Sequence, residues 1–530
     1  MKIFNKTVTI NELIPYTILA VYTLVLAFLM VYWGNWTIGD DAIYLRTTAL
    51  GKFNWCLDGF LPKDGRLFPL AHFDYNLTLL LPFLPVIKAH YLLNALSFCL
   101  YVYLLFRVIR SIVYFIAIEP IAGNKRKINI PIILFFVLIL FVFSKKMLLI
   151  ALLLYLVMYS CSCWIKDVDC RPWIVVLSIF SILLQPMWSA DYFEIHTATR
   201  LFVVLAILFI YSVYRFLENQ KWSYAILAVF AAFYLTYSYE YHFGLFVVFA
   251  TSMLLFYPNQ DKKFKGLMWG ILGVALSYVV VYMIFIFPNI EQVYTHEKQS
   301  MAVGTQHLLS WVRVYGFAIA FGLYRLYAVL WKKDREHIFY DSCLAAGLAG
   351  MVALIMLEMF DPYCHMTNII FCYIPVIYWA QKYFGSKCSV ILYGLLIVNL
   401  VSPFMRSVHK RVDAMQATMP KVEQVMNLIN HDTKMVMIMP ENPKEMVSDF
   451  SREEGCQMFI SRFESIIRYA DADHYVYHID ECTIEDVSQL REDIVYMTNP
   501  EWIDNKQIVD ALEQRGNIIR LETNSIYFNQ

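Results

Sequence analysis

Three groups of residues in this chain have types and spacings that suit chemistry. Gly39-Asp40-Asp41 sets two adjacent carboxylates a few residues beyond the first apolar segment. Such a pair can work at the membrane surface; a solvated helix end, with one acid capping a helix from Ala42, accounts for it equally. Asp191, Glu194 and His196 follow in Trp188-Ser-Ala-Asp-Tyr-Phe-Glu-Ile-His. The two acids share a face if the segment is helical. Hard oxygens and an imidazole among aromatics suit a sugar or a divalent cation such as Mg or Mn, and an exposed loop explains them as well. The third group repeats acid, tyrosine and histidine twice: Glu240 and His242 in Tyr237-Ser-Tyr-Glu-Tyr-His, then Asp361, Tyr363 and His365 in Phe360-Asp-Pro-Tyr-Cys-His.

Cations complete the set. Arg46 follows the acid pair, and Ser144-Lys145-Lys146 interrupts a long apolar stretch. The two lysines fit an anionic headgroup or lipid phosphate, or a plain interfacial anchor. Arg313 falls near one end of an apolar run and faces the same side as the acids, with Arg66 a lesser candidate. Arg107, Arg110 and Arg325 lie where snorkelling toward water explains them.

These residues need elements to hold them, and composition says which kind. The 530 residues are 59% hydrophobic and 17% aromatic, with mean hydropathy +0.52, far from soluble averages. Net charge is zero, so nothing points to nucleic acid. Apolar runs near 14–33, 90–117, 130–143, 147–164, 172–187, 197–217, 222–238, 241–257, 266–287, 309–331, 338–357, 363–383 and 388–404 predict about thirteen transmembrane helices. The first run is too long for a cleaved signal and lacks a small-residue cleavage site, so it is expected to remain as a span.

Charge orients these spans. From a cytoplasmic start, the even-numbered spans lead to turns rich in Lys and Arg, such as Lys125-Arg126-Lys127, Lys262-Lys263 and Lys332-Lys333. The opposite loops carry Asp40, Asp41, Asp191, Glu194, Glu240 and Asp361 and are poorer in base, which puts the acids outside. Lys145-Lys146 is the exception on the outer face. Merging 130–164 into one helix would remove it, but that helix would be about 50 Å long and would invert every later loop.

After residue 404 the composition turns polar. Short apolar runs at 435–439, 475–479, 494–496 and 518–519 alternate with helical stretches, which predicts a small C-terminal α/β domain over 405–530. An odd span count puts it outside. Most of the eleven cysteines fall in spans, none forms Cys-x-x-Cys, and no zinc site is suggested. Cys456 and Cys482 would meet an oxidising compartment there.

A first span, then Gly-Asp-Asp-Ala-Ile-Tyr-Leu-Arg46 opening a long outer loop over 34–89, then many spans within 1–404 and an outer soluble domain, resembles the GT-C superfamily of integral-membrane glycosyltransferases. The Asp64-Gly-Arg-Leu-Phe-Pro-Leu-Ala-His-Phe-Asp-Tyr-Asn76 run looks like one in uncharacterised bacterial members, and the layout is similar to the lipid A aminoarabinose transferase. The oligosaccharyltransferase branch is less close, because a WWD-type motif is lacking. The resemblance implies an inverting transferase of the bacterial plasma membrane, with a cytoplasmic N-terminus and a periplasmic C-terminal domain. A polyprenyl-phosphate sugar would be the donor, and a glycan, lipid or protein hydroxyl the acceptor. Asp40 or Asp41 would be the base, Lys145, Lys146 and Arg46 the phosphate partners. Asp191 and Glu194 would orient the sugar or acceptor, or hold a metal. A polysaccharide polymerase or ligase would use the same donors. A flippase or transporter would carry charges deep inside its spans and helices broken alike in two halves.

Overall fold

The computed structural model describes residues 10–35, 45, 48, 51–55, 59–63, 65–118, 170–193, 199–258, 260–290, 301–356 and 362–428, and then 434–438, 475–479, 484–489, 494–498, 506–514 and 518–521. Among these, five helices are long and apolar enough to cross a membrane: Leu13–Trp33, Val86–Tyr114, Leu201–Asn219, Lys262–Asn289 and Ile338–Ile355. At 1.5 Å per residue each reaches the thickness of a bilayer core, and the chain is a helical, multi-pass membrane protein. Shorter apolar helices fill the spaces between them.

In chain order the helices are α1 (Ile10–Trp33), α2 (Val86–Ile118), α3 (Arg171–Leu183), α4 (Trp188–Phe193), α5 (Thr199–Asn219), α6 (Trp222–Ser238), α7 (His242–Phe256), α8 (Lys262–Val281), α9 (Met301–Leu330), α10 (Ile338–Met356) and α11 (Met366–Leu428). Their burial sorts them into centre and periphery. The apolar windows of α5 and α10 are 61% buried, those of α1 and α8 only 28% and 22%. The outer helices turn large apolar side chains such as Leu24, Phe28 and Trp269 outward, as lipid contact requires. Helices α5 and α6 pack closely, and the buried residues of α6 include Ala225, Ala228 and Ala232, small side chains of the kind that let backbones approach.

The run Met366–Leu428 is helical throughout, yet it is not straight. Tyr373 stands beside Gln185, and Ser407 bonds Ser189 at 2.6 Å. Thirty-four residues of straight helix would separate Tyr373 from Ser407 by about 51 Å, whereas Gln185 and Ser189 are four residues apart and at most about 14 Å. The helix therefore doubles back. Tyr383, which accepts from Arg325 Nη1 at 3.1 Å, marks the far extreme, and Phe404 against Tyr192 marks the return.

The bundle thus has two distinct ends. One, the loop end, gathers the exit of α1, residues 59–85, the α6–α7 turn, the 3-10 turn Pro362–His365 and residues 404–415. The other, the basic end, holds Lys262, Lys263, Lys332, Lys333, Arg335 and Lys382. Arg325 at the basic end does not snorkel, as the sequence leads one to expect. It is 2% exposed and grips Asp341 through Nε and Nη2, both at 2.9 Å, while Nη1 reaches Asp334 at 2.7 Å. The guanidinium also lies 3.8 Å from the centre of the Trp379 ring. Two carboxylates and an aromatic face replace the water that snorkelling would have sought.

Beyond α11, four short strands form a parallel sheet: β3 (Lys434–Ile438), β4 (Tyr475–Ile479), β5 (Ile494–Thr498) and β6 (Ile518–Leu521), ordered β4-β3-β5-β6. Helices α12 (Ile484–Gln489) and α13 (Lys506–Gln514) lie in the β4–β5 and β5–β6 connections, as parallel pairing demands.

Candidate functional site

The loop end is built from the α1 exit upward. The last carbonyls of a helix lack partners, and Lys88 supplies them, donating to Val31 O at 3.2 Å and Gly34 O at 2.7 Å. Gly34 is required here, because a Cβ would sit 2.3 Å from Tyr91 Cγ. Tyr91 then donates to Asn35 O at 3.1 Å, and the Asn35 N–H meets Met415 Sδ at 3.1 Å. The acid pair begins five residues later in the chain.

Residues 59–85 fold down onto the helices. A short hairpin pairs β1 (Phe60–Leu61) with β2 (Arg66–Leu67), turning through Gly65 at φ +70°. Three tyrosines of the bundle hold it. Tyr278 donates to Leu67 O and Tyr282 to Gly65 O, both at 2.9 Å, and the Tyr237 carbonyl accepts from Leu70 N–H at 3.0 Å. Tyr282 comes from a widened π turn, Tyr282–Ile286, at the end of α8. Further along, Asn76 clamps Asn54, accepting from its N–H at 2.7 Å and donating to its carbonyl at 2.9 Å.

Arg66 joins this loop to the bundle by charge. Its Nε donates to Glu240 Oε1 at 2.8 Å, and its guanidinium covers the Phe68 ring at 4.7 Å. His72 is buried behind it; burial and the Arg66 charge push the imidazole down to about 3, so it is neutral. Beside Glu240 the Tyr239 hydroxyl contacts Cys364 Sγ at 3.2 Å, and the Tyr241 hydroxyl donates to Cys364 O. Burial, with Cys364 beside them, holds both hydroxyls well above the usual tyrosine range, so they remain protonated. His242 Nδ1 bonds Leu235 O at 2.8 Å, and His365 Nδ1 meets the Tyr315 hydroxyl at 3.2 Å.

The structure sets Tyr239 and Tyr241, on either side of Glu240, against Cys364, with His242 packed on both tyrosine rings and His365 next to Cys364 in the chain. Both histidines are wholly buried rather than set at an open interface. Tyr239 and Tyr241 pack on the His242 ring, and Tyr315 on that of His365. Asp40, Asp41, Arg46, Lys145, Lys146, Glu194 and His196 lie outside the described residues. Asp191 lies on α4, Arg313 on α9 and Tyr363 in the turn before α11, but their side chains lie outside as well. Among the described residues no group of three or more His, Cys, Asp or Glu could hold a metal; the carboxylates and histidine read as Mg or Mn ligands are not among them.

Several contributors escaped the sequence. Arg66 stood within the Asp64–Asn76 run with nothing to name Glu240 as its partner, Cys364 looked like one more apolar residue, and Tyr315 fell inside an apolar run. Arg411 is the fourth: its Nε donates to Ser189 Oγ at 3.0 Å, across 222 positions of sequence. Comparison with models of known protein families, with curated proteins and with solved structures found no match to this chain.

Proposed function

We propose that the chain is a GT-C-type membrane glycosyltransferase, which moves a sugar from a polyprenyl-phosphate donor to an acceptor hydroxyl at the loop end. One observation carries this reading. The polar loop after the first helix is a built platform, docked by Tyr278, Tyr282 and the Arg66–Glu240 pair onto the end of the bundle where the acids, tyrosines and histidines collect. An extramembranous loop held in this way positions reacting groups as a tether does not.

In the proposed reaction Asp40 or Asp41 takes the proton of the acceptor hydroxyl as its oxygen attacks the anomeric carbon. The bond from that carbon to the phosphate oxygen breaks, and the phosphate leaves with the electron pair. Arg46, Lys145 and Lys146 neutralise the departing charge, and Asp191 and Glu194 orient sugar or acceptor. Glu240 is engaged by Arg66 and acts in this reading by holding the loop.

The same reading carries thirteen spans, a cytoplasmic basic end and an outer α/β domain around the parallel sheet. Arg171 lies 5.1 Å over the Tyr114 ring, so the chain leaves α2 and re-enters α3 at one end of the bundle. Two spans at 130–143 and 147–164 satisfy that parity; a single overlong helix does not. The Lys and Arg residues gathered at the basic end support its cytoplasmic orientation. The buried Arg325–Asp341 pair stands at helix ends with its bonds made, which suits a staple between helices better than a transport pathway.

Mass spectrometry of the purified protein tests the reading first. A co-purifying polyprenyl-phosphate sugar, transferred by wild type and not by at least one of Asp40→Asn and Asp41→Asn, is the expected result. Only bulk phospholipid, with full activity in both variants, would remove it.

A further inference from the structure

Residues 67–96 run from the hairpin into α2 with their polarity turned inside out. His72, Asp74, Asn76, Thr78, His90 and Asn94 are all buried. The large side chains left outside are apolar: Phe73, Leu77 and Leu80 on the 3-10 turn Phe73–Leu80, then Phe83, with Leu80 71% and Phe83 76% exposed. Leu77 and Leu80 are three residues apart, which a 3-10 turn sets on one side. Within this run Lys88 alone among the polar residues is not buried, and its ammonium is held by the carbonyls of Val31 and Gly34. A loop surrounded by water sorts its residues the other way. A docking protein would look for polar partners, since interfaces carry about one hydrogen bond per 100–200 Å², and the outward side chains of this face can make none.

Its two neighbours show what covers it. Helix α2 continues directly from the run and, long and apolar enough to span, turns Leu96, Leu100 and Tyr103 outward, so the loop face and the lipid-facing surface of α2 are continuous. On the other side the hairpin is held by Tyr278 and Tyr282, and the apolar helix runs on past them toward Asn289. Met283, Ile284, Phe285 and Phe287 are each more than half exposed there. From Tyr282 to Phe287 the helix climbs about 7 Å, so its outward apolar side chains reach beyond the level of the hairpin. The loop lies outside the spans without standing clear of the bilayer.

We infer that the outward face of this loop, formed by Phe73, Leu77, Leu80 and Phe83, is seated in the boundary between headgroups and acyl chains and takes phospholipid acyl chains as its partner. The loop is then gripped from both sides, by the tyrosines and the Arg66–Glu240 pair within and by lipid without. Nothing in this depends on sugar transfer, and a chain that transfers none would keep the surface.

Full-length protein in phosphatidylcholine nanodiscs, carrying the photoreactive residue p-benzoylphenylalanine in place of Leu80 or of Phe83, tests it by irradiation and mass spectrometry. Phe28 on α1, which faces lipid, and Asp510, exposed on α13, are the reference positions. Phosphatidylcholine adducts at positions 80 and 83 should reach about half the yield at Phe28 or more, and exceed that at Asp510 by about fivefold, as side chains inserted among lipid require. Yields no higher than at Asp510 put the face in water and overturn the inference. A peptide adduct instead, from this chain or from a second copy, puts protein on the face and overturns it as well. The change at Phe83 keeps an aromatic ring, so that position decides the matter even where the change at Leu80 lowers the melting temperature.

Discussion

Arg66 Nε and Glu240 Oε1 lie 2.8 Å apart although 174 positions of sequence separate them. Each side chain is 21% exposed, so the pair is neither a loose surface contact nor a sealed one. Its effect is to fasten the folded loop to the α6–α7 turn, directly above the tyrosines that hold Cys364.

Arg66→Ala and Glu240→Gln should each free this edge of the loop at a stability cost of about 1 kcal/mol or less, because water screens the pair. In the proposed transferase, sugar transfer should fall much further than the melting temperature does. A double-mutant cycle on both readouts checks this; additive effects would mean the two side chains act separately.

The basic end should behave in the opposite way. Asp341→Asn leaves the buried Arg325 short of a countercharge, and a loss of about 3–5 kcal/mol is expected. Asp334, 41% exposed on the same guanidinium, should cost far less when changed to Asn. Thermal melting of the detergent-solubilised variants compares them, and equal losses would contradict the unequal burial.

His72 makes the docked loop sensitive to acid. Unfolded, a histidine titrates near 6.5; docked, His72 is held at about 3. Between those values the released loop binds the proton and the docked loop does not, so docking is at full strength above pH 6.5 and weakens as pH falls toward 3. The slope is at most about 1.4 kcal/mol per pH unit. His72→Phe keeps a ring against Phe68 and Tyr75 and should flatten the response. Hydrogen exchange of residues 65–80 from pH 7 to pH 4 measures it, apart from any titration of His337 at the other end.

Gly34 and Gly244 form a paired test of close approach. Gly34→Ala drives a methyl into Tyr91 and the Met30 carbonyl and should cost about 1–3 kcal/mol. At Gly244, inside α7, a Cβ meets nothing within 4 Å, and Ala should be neutral or stabilise by up to about 1 kcal/mol. Melting temperatures that move together would refute the assignment of Gly34 to the α1–α2 contact.

The helices were readable because lipid leaves no alternative. A run such as 222–238 has to satisfy its own backbone, and α6 spans Trp222–Ser238. The strands at 475–479 and 494–498 were readable because short apolar runs bounded by polar ones bury one layer. Of the candidate site, Glu240, His242 and His365 were marked by repeated acid, tyrosine and histidine, although their burial was not. Arg325 was misjudged because its counterions come from a turn and from the next helix, 9 and 16 positions on.

By itself, then, the sequence determined the class of molecule, the rough extent of most of its described helices and the existence of a charged, aromatic loop after the first of them. Each follows from local hydrophobicity, which acts over one turn of helix or one span. Only the tertiary structure decided that Arg66 meets Glu240, that Ser189 meets Arg411 and that Arg325 is sealed between two acids. Those pairings depend on which helix ends share a level in the bundle, and no local pattern of residues encodes that.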